Sequence, residues 1–267
     1  MTATGALAVE EEVLLREDAG GIATLTLNRP HQYNALSEEL LSGLQSALEA
    51  IGRDEAVRVV VIAGNGPAFC SGHDLKQMRA KPSKDYYGQL FAQCSSVMTA
   101  ITRIPQPVIA RVHGIATAAG CQLVAQCDLA VASDNARFAV SGINVGLFCS
   151  TPSVPLTRNV LRKQAMEMLL TGDFIDAQTA VQRGLVNRAV SPDRLDAAVF
   201  ELAQKIIAKS AVAVATGKRM VYKQIEMGLD AAYQYAAEVM VCNMMAEDVG
   251  EGIDAFAQKR PPHWKHK

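Results

Sequence analysis

Two stretches carry residue types that could do chemistry on an oxygen atom. The first is Gly64-Asn65-Gly66-Pro67-Ala68-Phe69-Cys70-Ser71-Gly72-His73-Asp74-Leu75. The second is His113-Gly114-Ile115-Ala116-Thr117-Ala118-Ala119-Gly120-Cys121-Gln122-Leu123. In each, an apolar run ends in a loop of small residues, and a helical pattern follows. Small residues let a ligand approach the backbone, and free N–H groups at a helix start attract negative charge. Two such corners side by side would aim two N–H donors at one oxygen. Other chemistries find no footing. The histidines at 31, 73, 113, 263 and 266 lack zinc-like spacing. No P-loop, Gly-x-Ser-x-Gly, His-Glu-x-x-His or Gly-x-Gly-x-x-Gly motif is present.

The surrounding patterns predict elements that would hold these loops. Val13–Arg16 and Ile22–Leu27, joined through Asp18-Ala19-Gly20-Gly21, predict a β-hairpin. Ser37 predicts an N-cap, with Glu38 and Glu39 suited to the helix dipole and Leu40, Leu44, Leu48 and Ile51 forming one stripe. The runs 57–63, 108–112 and 129–132 are continuously apolar, which predicts strands buried on both faces. Between the first two, Tyr87, Leu90, Phe91, Cys94, Val97, Met98 and Ile101 predict a long helix. Strand, loop, helix and strand in repetition is an α/β signature. A short strand is expected at 186–190, and from about residue 195 nearly everything is helix-compatible. There Tyr222, Ile225, Leu229, Tyr233, Met240, Met244 and Met245 need cover. A subunit interface or packing within the chain would supply it. His263 and His266 flank Trp264 in what reads as a frayed tail.

Composition narrows the function classes. The 267 residues suffice for one large domain with a sizeable core. With 26 basic and 27 acidic residues, the formal net charge of −1 gives no electrostatic case for nucleic acid or an anionic membrane. No apolar run approaches the roughly 18 residues a membrane span needs. Glu10, Glu11 and Glu12 replace the basic start of a leader, and six scattered cysteines read as reduced core residues. The expected compartment is cytoplasmic.

At the two loops the chain resembles the crotonase, or enoyl-CoA hydratase/isomerase, family, and it does so along nearly its whole length. The motifs are Asn28-Arg29-Pro30 through Asn34-Ala35-Leu36, Phe69 through Leu75, His113 through Cys121, Cys127-Asp128-Leu129-Ala130 and Phe256-Ala257-Gln258-Lys259-Arg260. The Ser-Gly-His-Asp-Leu string is most similar to the enoyl-CoA hydratase domain-containing subgroup. The resemblance implies a ββα spiral over residues 1–195. A helical oligomerisation region, 196–267, would follow, assembled as a homotrimer or a dimer of trimers. It implies a coenzyme A thioester as substrate and no permanently bound cofactor. The backbone N–H groups of His73 and Ala119 would hold the thioester oxygen as the α-carbon becomes enolate-like. His31, Gln32, Tyr33, Ser71, Asp74, Leu75 and Lys76 would border coenzyme A, with Phe256 and Lys259 meeting its nucleotide from the same or a neighbouring subunit.

One departure from the family pattern bears on the reaction. Family hydratases hold a water between two glutamates. Their positions match Gln122 and Gly142 here, so both carboxylates are missing. Gln122 can bind a water or a substrate but cannot take a proton. Remaining candidates for acid, base or nucleophile are His73, Asp74, Cys121, Ser141, Cys149 and Ser150. Of these, His73 would ordinarily titrate near neutrality, and Asp74 reads first as a helix cap. Cys149 needs a stabilised thiolate, and Ser150 needs a partner. The expected function is acyl-CoA chemistry of fatty-acid metabolism with hydration impaired. The alternative is a catalytically silent acyl-CoA-binding protein or a subunit of a hetero-oligomer.

Overall fold

The computed structural model describes residues 12–267; Glu10 and Glu11 of the acidic N-terminal stretch lie outside them. The chain opens with β1 (Leu14–Ala19) and β2 (Ile22–Leu27), an antiparallel hairpin. Gly20 and Gly21, at φ 57° and 80°, make its two-residue turn, which needs left-handed backbone at both positions. Helix α1 (Glu38–Ile51) follows, capped by Ser37, whose hydroxyl accepts the Leu40 N–H. Strand β3 (Val59–Gly64) leads to β4 (Ala68–Cys70), then α2 (Leu75–Ala80) and α3 (Lys84–Arg103). Strand β5 (Val108–Val112) leads to β6 (Ile115–Thr117) and α4 (Ala119–Gln126). Strand β7 (Leu129–Ser133) leads to β8 (Arg137–Ala139), α5 (Ser150–Asn159) and α6 (Arg162–Thr171). The series closes with β9 (Ile175–Asp176), α7 (Ala177–Gln182), β10 (Arg188–Val190), α8 (Leu195–Ile207), α9 (Ala211–Gln224), α10 (Leu229–Met244) and α11 (Glu247–Ala257).

After the β1-β2 hairpin of this α/β spiral, the pairs β3/β4, β5/β6 and β7/β8 each place their first strand in one sheet and their second in another. The larger sheet runs β1-β2-β3-β5-β7-β10, parallel from β2 onward; the smaller runs β4-β6-β8-β9. Buried apolar side chains fill both sides of the larger sheet. Val60, Ile62, Val108 and Ala110 face the helices α1 and α3 in the main core. Val59, Val61, Ile109 and Val131 face Leu195, Ala198, Val199 and Ala203 of α8 on the other side. This two-sided burial is the physical reason those strands read as continuous apolar runs. In α3 the core takes Tyr86 rather than Tyr87; Tyr87 and Phe91 are only half-buried.

The C-terminal residues correct one expectation. The tail is docked rather than frayed. The Trp264 Nε1–H donates to the Ala208 carbonyl at 2.9 Å. Asp248, buried at the start of α11, accepts the backbone N–H groups of Lys265 and His266. Glu251 accepts two guanidinium N–H bonds from Arg260, which hold its carboxyl down at about 2.

Candidate active site

The two loops meet because the strands that feed them are neighbours. Strands β4 and β6 pair in parallel, with Ala68 opposite Ile115 and Cys70 opposite Ala116. Whatever follows Cys70 must therefore lie beside whatever follows Thr117. Contact between the loops is close. A Cβ on Gly72, which sits at φ 97°, would come within 2.9 Å of the Ala118 methyl and 3.3 Å of the Ala119 nitrogen. Ala118 is itself left-handed, at φ 50° and ψ −120°, and its N–H is tied to the Ala139 carbonyl at 3.0 Å. An alanine is strained there. That turn swings the chain so that α4 starts at Ala119. Among the described residues neither the His73 nor the Ala119 N–H is donated to a protein acceptor. The arrangement therefore presents two unengaged amides at the junction, one of them at a helix N-terminus.

The early loop braces the first corner. Asn34 is fully buried; its carbonyl oxygen accepts the Arg29 N–H, and its amide donates to the Asn65 and Ala68 carbonyls, all at 2.8–2.9 Å. The Arg29 guanidinium reaches Asp74 at 3.0 Å. Asp74 also caps α2 through the Lys76 and Gln77 N–H groups, so its carboxyl lies below the usual range despite partial burial. The backbone joins in: Ser71 donates to the Tyr33 carbonyl, Leu36 to Gly72, and Asp74 to Leu36. Gln32 and Tyr33 thus share one edge with Ser71 through Lys76, while His31, Leu75 and Lys76 are exposed. Phe256 and Lys259 are not brought to this edge. They lie at the end of α11 and just past it, with Phe256 87% exposed. The bracing roles of Arg29 and Asn34 escape a sequence reading, because each acts on residues more than thirty positions away.

His73 does not titrate near neutrality. Its ring lies edge-on to Phe91, with centroids 5.5 Å apart, and neither ring nitrogen has a hydrogen-bond partner. Burial pushes its pKa down to about 4, so the ring is neutral at physiological pH. The folded protein refuses a proton that the unfolded chain accepts below about 6.5. Stability should therefore be full above pH 6.5 and fall as the pH drops toward 4, by up to about 3 kcal/mol from this group. His113, also pushed down by burial, adds a slope of the same sign. Urea midpoints at pH 7 and pH 4.5 should show a smaller difference for His73→Gln than for wild type.

The two positions that match the hydratase glutamates lie in different surroundings. Gln122 sits one turn into α4 and is 4% exposed; its Oε1 is buried without a partner. Gly142 lies in the 3-10 turn Ser141–Val145. A Cβ there would meet the Leu147 carbonyl oxygen at 2.6 Å and Cys149 Sγ at 2.8 Å, so the space is already taken. Cys149 Sγ accepts the Gly142 N–H at 3.3 Å, and burial pushes its thiol up, away from the thiolate a nucleophile needs. Burial likewise pushes Cys121 up to about 12. Ser141 shares a 2.6 Å hydrogen bond with Thr117, and Ser150 is exposed, its hydroxyl directed at the Phe148 carbonyl. The described residues contain no group of three or more His, Cys, Asp or Glu that could hold a metal.

A model of the enoyl-CoA hydratase/isomerase family matches residues 17–267. The mouse enoyl-CoA hydratase domain-containing protein 3, mitochondrial, is 47% identical over 246 residues, covering 92% of this chain and 82% of the mouse protein. The crystal structure of human enoyl-CoA hydratase domain-containing protein 3 superposes with a TM-score of 0.92 at 45% identity, covering 94% of this chain and 100% of that one. A Mycobacterium smegmatis structure described as enoyl-CoA hydratase gives 0.94 at 58% identity, covering 95% and 99%. The mouse and human curated relatives are both named mitochondrial, which overturns the cytoplasmic placement expected from the sequence. Negative charge near residue 10 was too weak a guide to compartment.

Proposed function

Because the chain belongs to the enoyl-CoA hydratase/isomerase family, we propose that it binds acyl-CoA thioesters and polarises their carbonyl without the carboxylate pair that hydrates them. The thioester oxygen would lie between the His73 and Ala119 amides. Charge builds on that oxygen as the α-carbon becomes enolate-like, so donors already in place favour the transition state over the ground state. Gln32, Tyr33 and Ser71 through Lys76 would border the coenzyme A, with Lys76 as a point charge for phosphate. Phe256 and Lys259 would reach the nucleotide from a neighbouring subunit, since they stand away from this edge in their own.

The observation that carries this reading is the crowding at Gly142. The second carboxylate is not merely absent; the Leu147 carbonyl and Cys149 Sγ occupy the place where its side chain would begin. Gln122 holds no proton-accepting group either. The exposed apolar residues of α10, α11 and the turn between them, with Tyr233, Met240, Met245 and Phe256 each more than two-thirds exposed, favour a homotrimer or a dimer of trimers.

The test is hydration of crotonyl-CoA, followed as loss of the conjugated enoyl absorbance. Each positioned acid or base is worth about 10²–10⁴-fold. The expected rate is lower by at least that factor than that of a family hydratase carrying both glutamates, with binding of crotonyl-CoA retained. A rate equal to such a hydratase would overturn the proposal.

A further inference from the structure

We propose that the Ala118 methyl is a spacer that fixes the distance between the two amides, an inference that rests on the acyl-CoA reading above. Ala118 holds a backbone shape that alanine ordinarily avoids. Its φ of 50° and ψ of −120° match the first central position of a type II′ turn, which glycine dominates. The hydrogen bonding there requires no side chain. The Ala118 N–H is donated to the Ala139 carbonyl, and the Ala118 carbonyl accepts the Gln122 N–H, both at 3.0 Å. A glycine would make both bonds without strain. What the alanine adds is the contact its methyl makes, and a strained residue beside a functional site points to a use for that contact.

The methyl stands against the other loop. Gly72 immediately precedes His73, and the place its own Cβ would take lies 2.9 Å from the Ala118 Cβ and 3.3 Å from the Ala119 nitrogen. One carbon from Ala118 therefore occupies the junction that Gly72 leaves open. The pairing of β4 with β6 ends before this point, at Cys70 and Ala116. Beyond it each loop is anchored on its own side: the Gly72 carbonyl accepts the Leu36 N–H at 2.8 Å, and Ala118 hangs from the end of β8. The methyl contact sets the separation across the gap. Two donors polarise one carbonyl oxygen only while both stay in reach and in line with it, and hydrogen bonds weaken steeply with misalignment. A glycine at 118 would remove the contact and loosen the backbone next to the Ala119 amide. Ala118 acts through the two amides, so it is a positioning residue.

The experiment is titration of 4-dimethylaminocinnamoyl-CoA into wild type, Ala118→Gly and Ala118→Ser, read by absorbance, with a thermal melt of each protein. Donors on the thioester oxygen move the absorption of this conjugated probe to longer wavelength, because its excited state carries more charge on that oxygen. Wild type should red-shift the bound probe. Ala118→Gly should retain about half of that shift or less. Its melting temperature should match or exceed the wild-type value, because relief of the strained backbone offsets the lost methyl. Ala118→Ser keeps the Cβ and should keep the shift. An undiminished shift in Ala118→Gly would overturn the inference, and so would a loss of the shift in a folded Ala118→Ser. A melting temperature that falls together with the shift in Ala118→Gly would also overturn it, since the methyl would then be ordinary packing. The glycine variant decides the matter even if the serine variant fails to fold. A probe that does not bind wild type, or binds it without a shift, would instead sink the acyl-CoA reading itself.

Discussion

Gly120→Ala should destabilise the protein by about 3 kcal/mol or more and abolish acyl-CoA binding. The added methyl would lie 2.1 Å from the Cys70 carbonyl oxygen and 2.7 Å from its carbon. Those are backbone atoms at the end of β4, in a segment paired to β6 and braced by Asn34, so no rotamer change relieves the clash. Overpacking usually costs 1–3 kcal/mol where side chains can yield, and more where they cannot. The helix would have to move off the strand, carrying the Ala119 amide away from that of His73. Gly88, in the second turn of α3, is the control, because a Cβ there meets nothing within 4 Å. Gly88→Ala should be neutral or stabilising by up to about 1 kcal/mol through helix propensity. Urea midpoints and a crotonyl-CoA titration on both variants check the pair. A folded Gly120→Ala that still binds acyl-CoA would contradict this packing account.

Lys218→Ala should cost about 3–5 kcal/mol, the usual penalty for stranding one member of a buried ion pair. The Lys218 ammonium donates to three acceptors: Asp128 Oδ2 at 2.6 Å, the Ile101 carbonyl at 2.7 Å and the Gln106 carbonyl at 2.8 Å. The two side chains are 6% and 14% exposed. Burial pushes the Lys218 pKa down, and Asp128 opposes it. Asp128 also accepts the Val108 N–H at the head of β5. The carbonyl of Ile101 lies in the last turn of α3, where a cation suits the helix dipole. One ammonium thus joins α9 to α3 and β5. Lys218→Arg should not restore stability, because three acceptors converge on one point and a planar guanidinium cannot meet them all. Thermal melts should show a drop of about 10 °C or more for both variants. A change under about 2 °C would mean that the pair contributes little.

The fold was legible where the pattern is local and repeated. Val59–Gly64, Val108–Val112 and Leu129–Ser133 announce themselves as continuous apolar runs, and Ser37 and Asp74 cap the helices that their positions predict. The smaller sheet was not legible, because its strands are two or three residues long and no periodicity can develop over that length. Tyr86 and Tyr87 are adjacent, and only packing against α1 decides which turns inward. Lys218 is one lysine among several in an alanine-rich stretch, and its partner lies 90 residues earlier. Of the site, the two small-residue loops could be seen in the residues themselves, and the missing carboxylates through the family resemblance. The lack of room at Gly142 could not, since it depends on where the Leu147 carbonyl and Cys149 fall.

The docked tail has a consequence for the order of events during synthesis. The buried carboxylate of Asp248 takes its backbone donors from residues 265 and 266, and Trp264 closes against the end of α8. The spiral core can pack as its strands leave the ribosome, one turn after another. Helix α11 cannot settle in that way. Asp248 must wait, hydrated, until residue 266 has cleared the exit tunnel, so the first turn of α11 gains its backbone donors last.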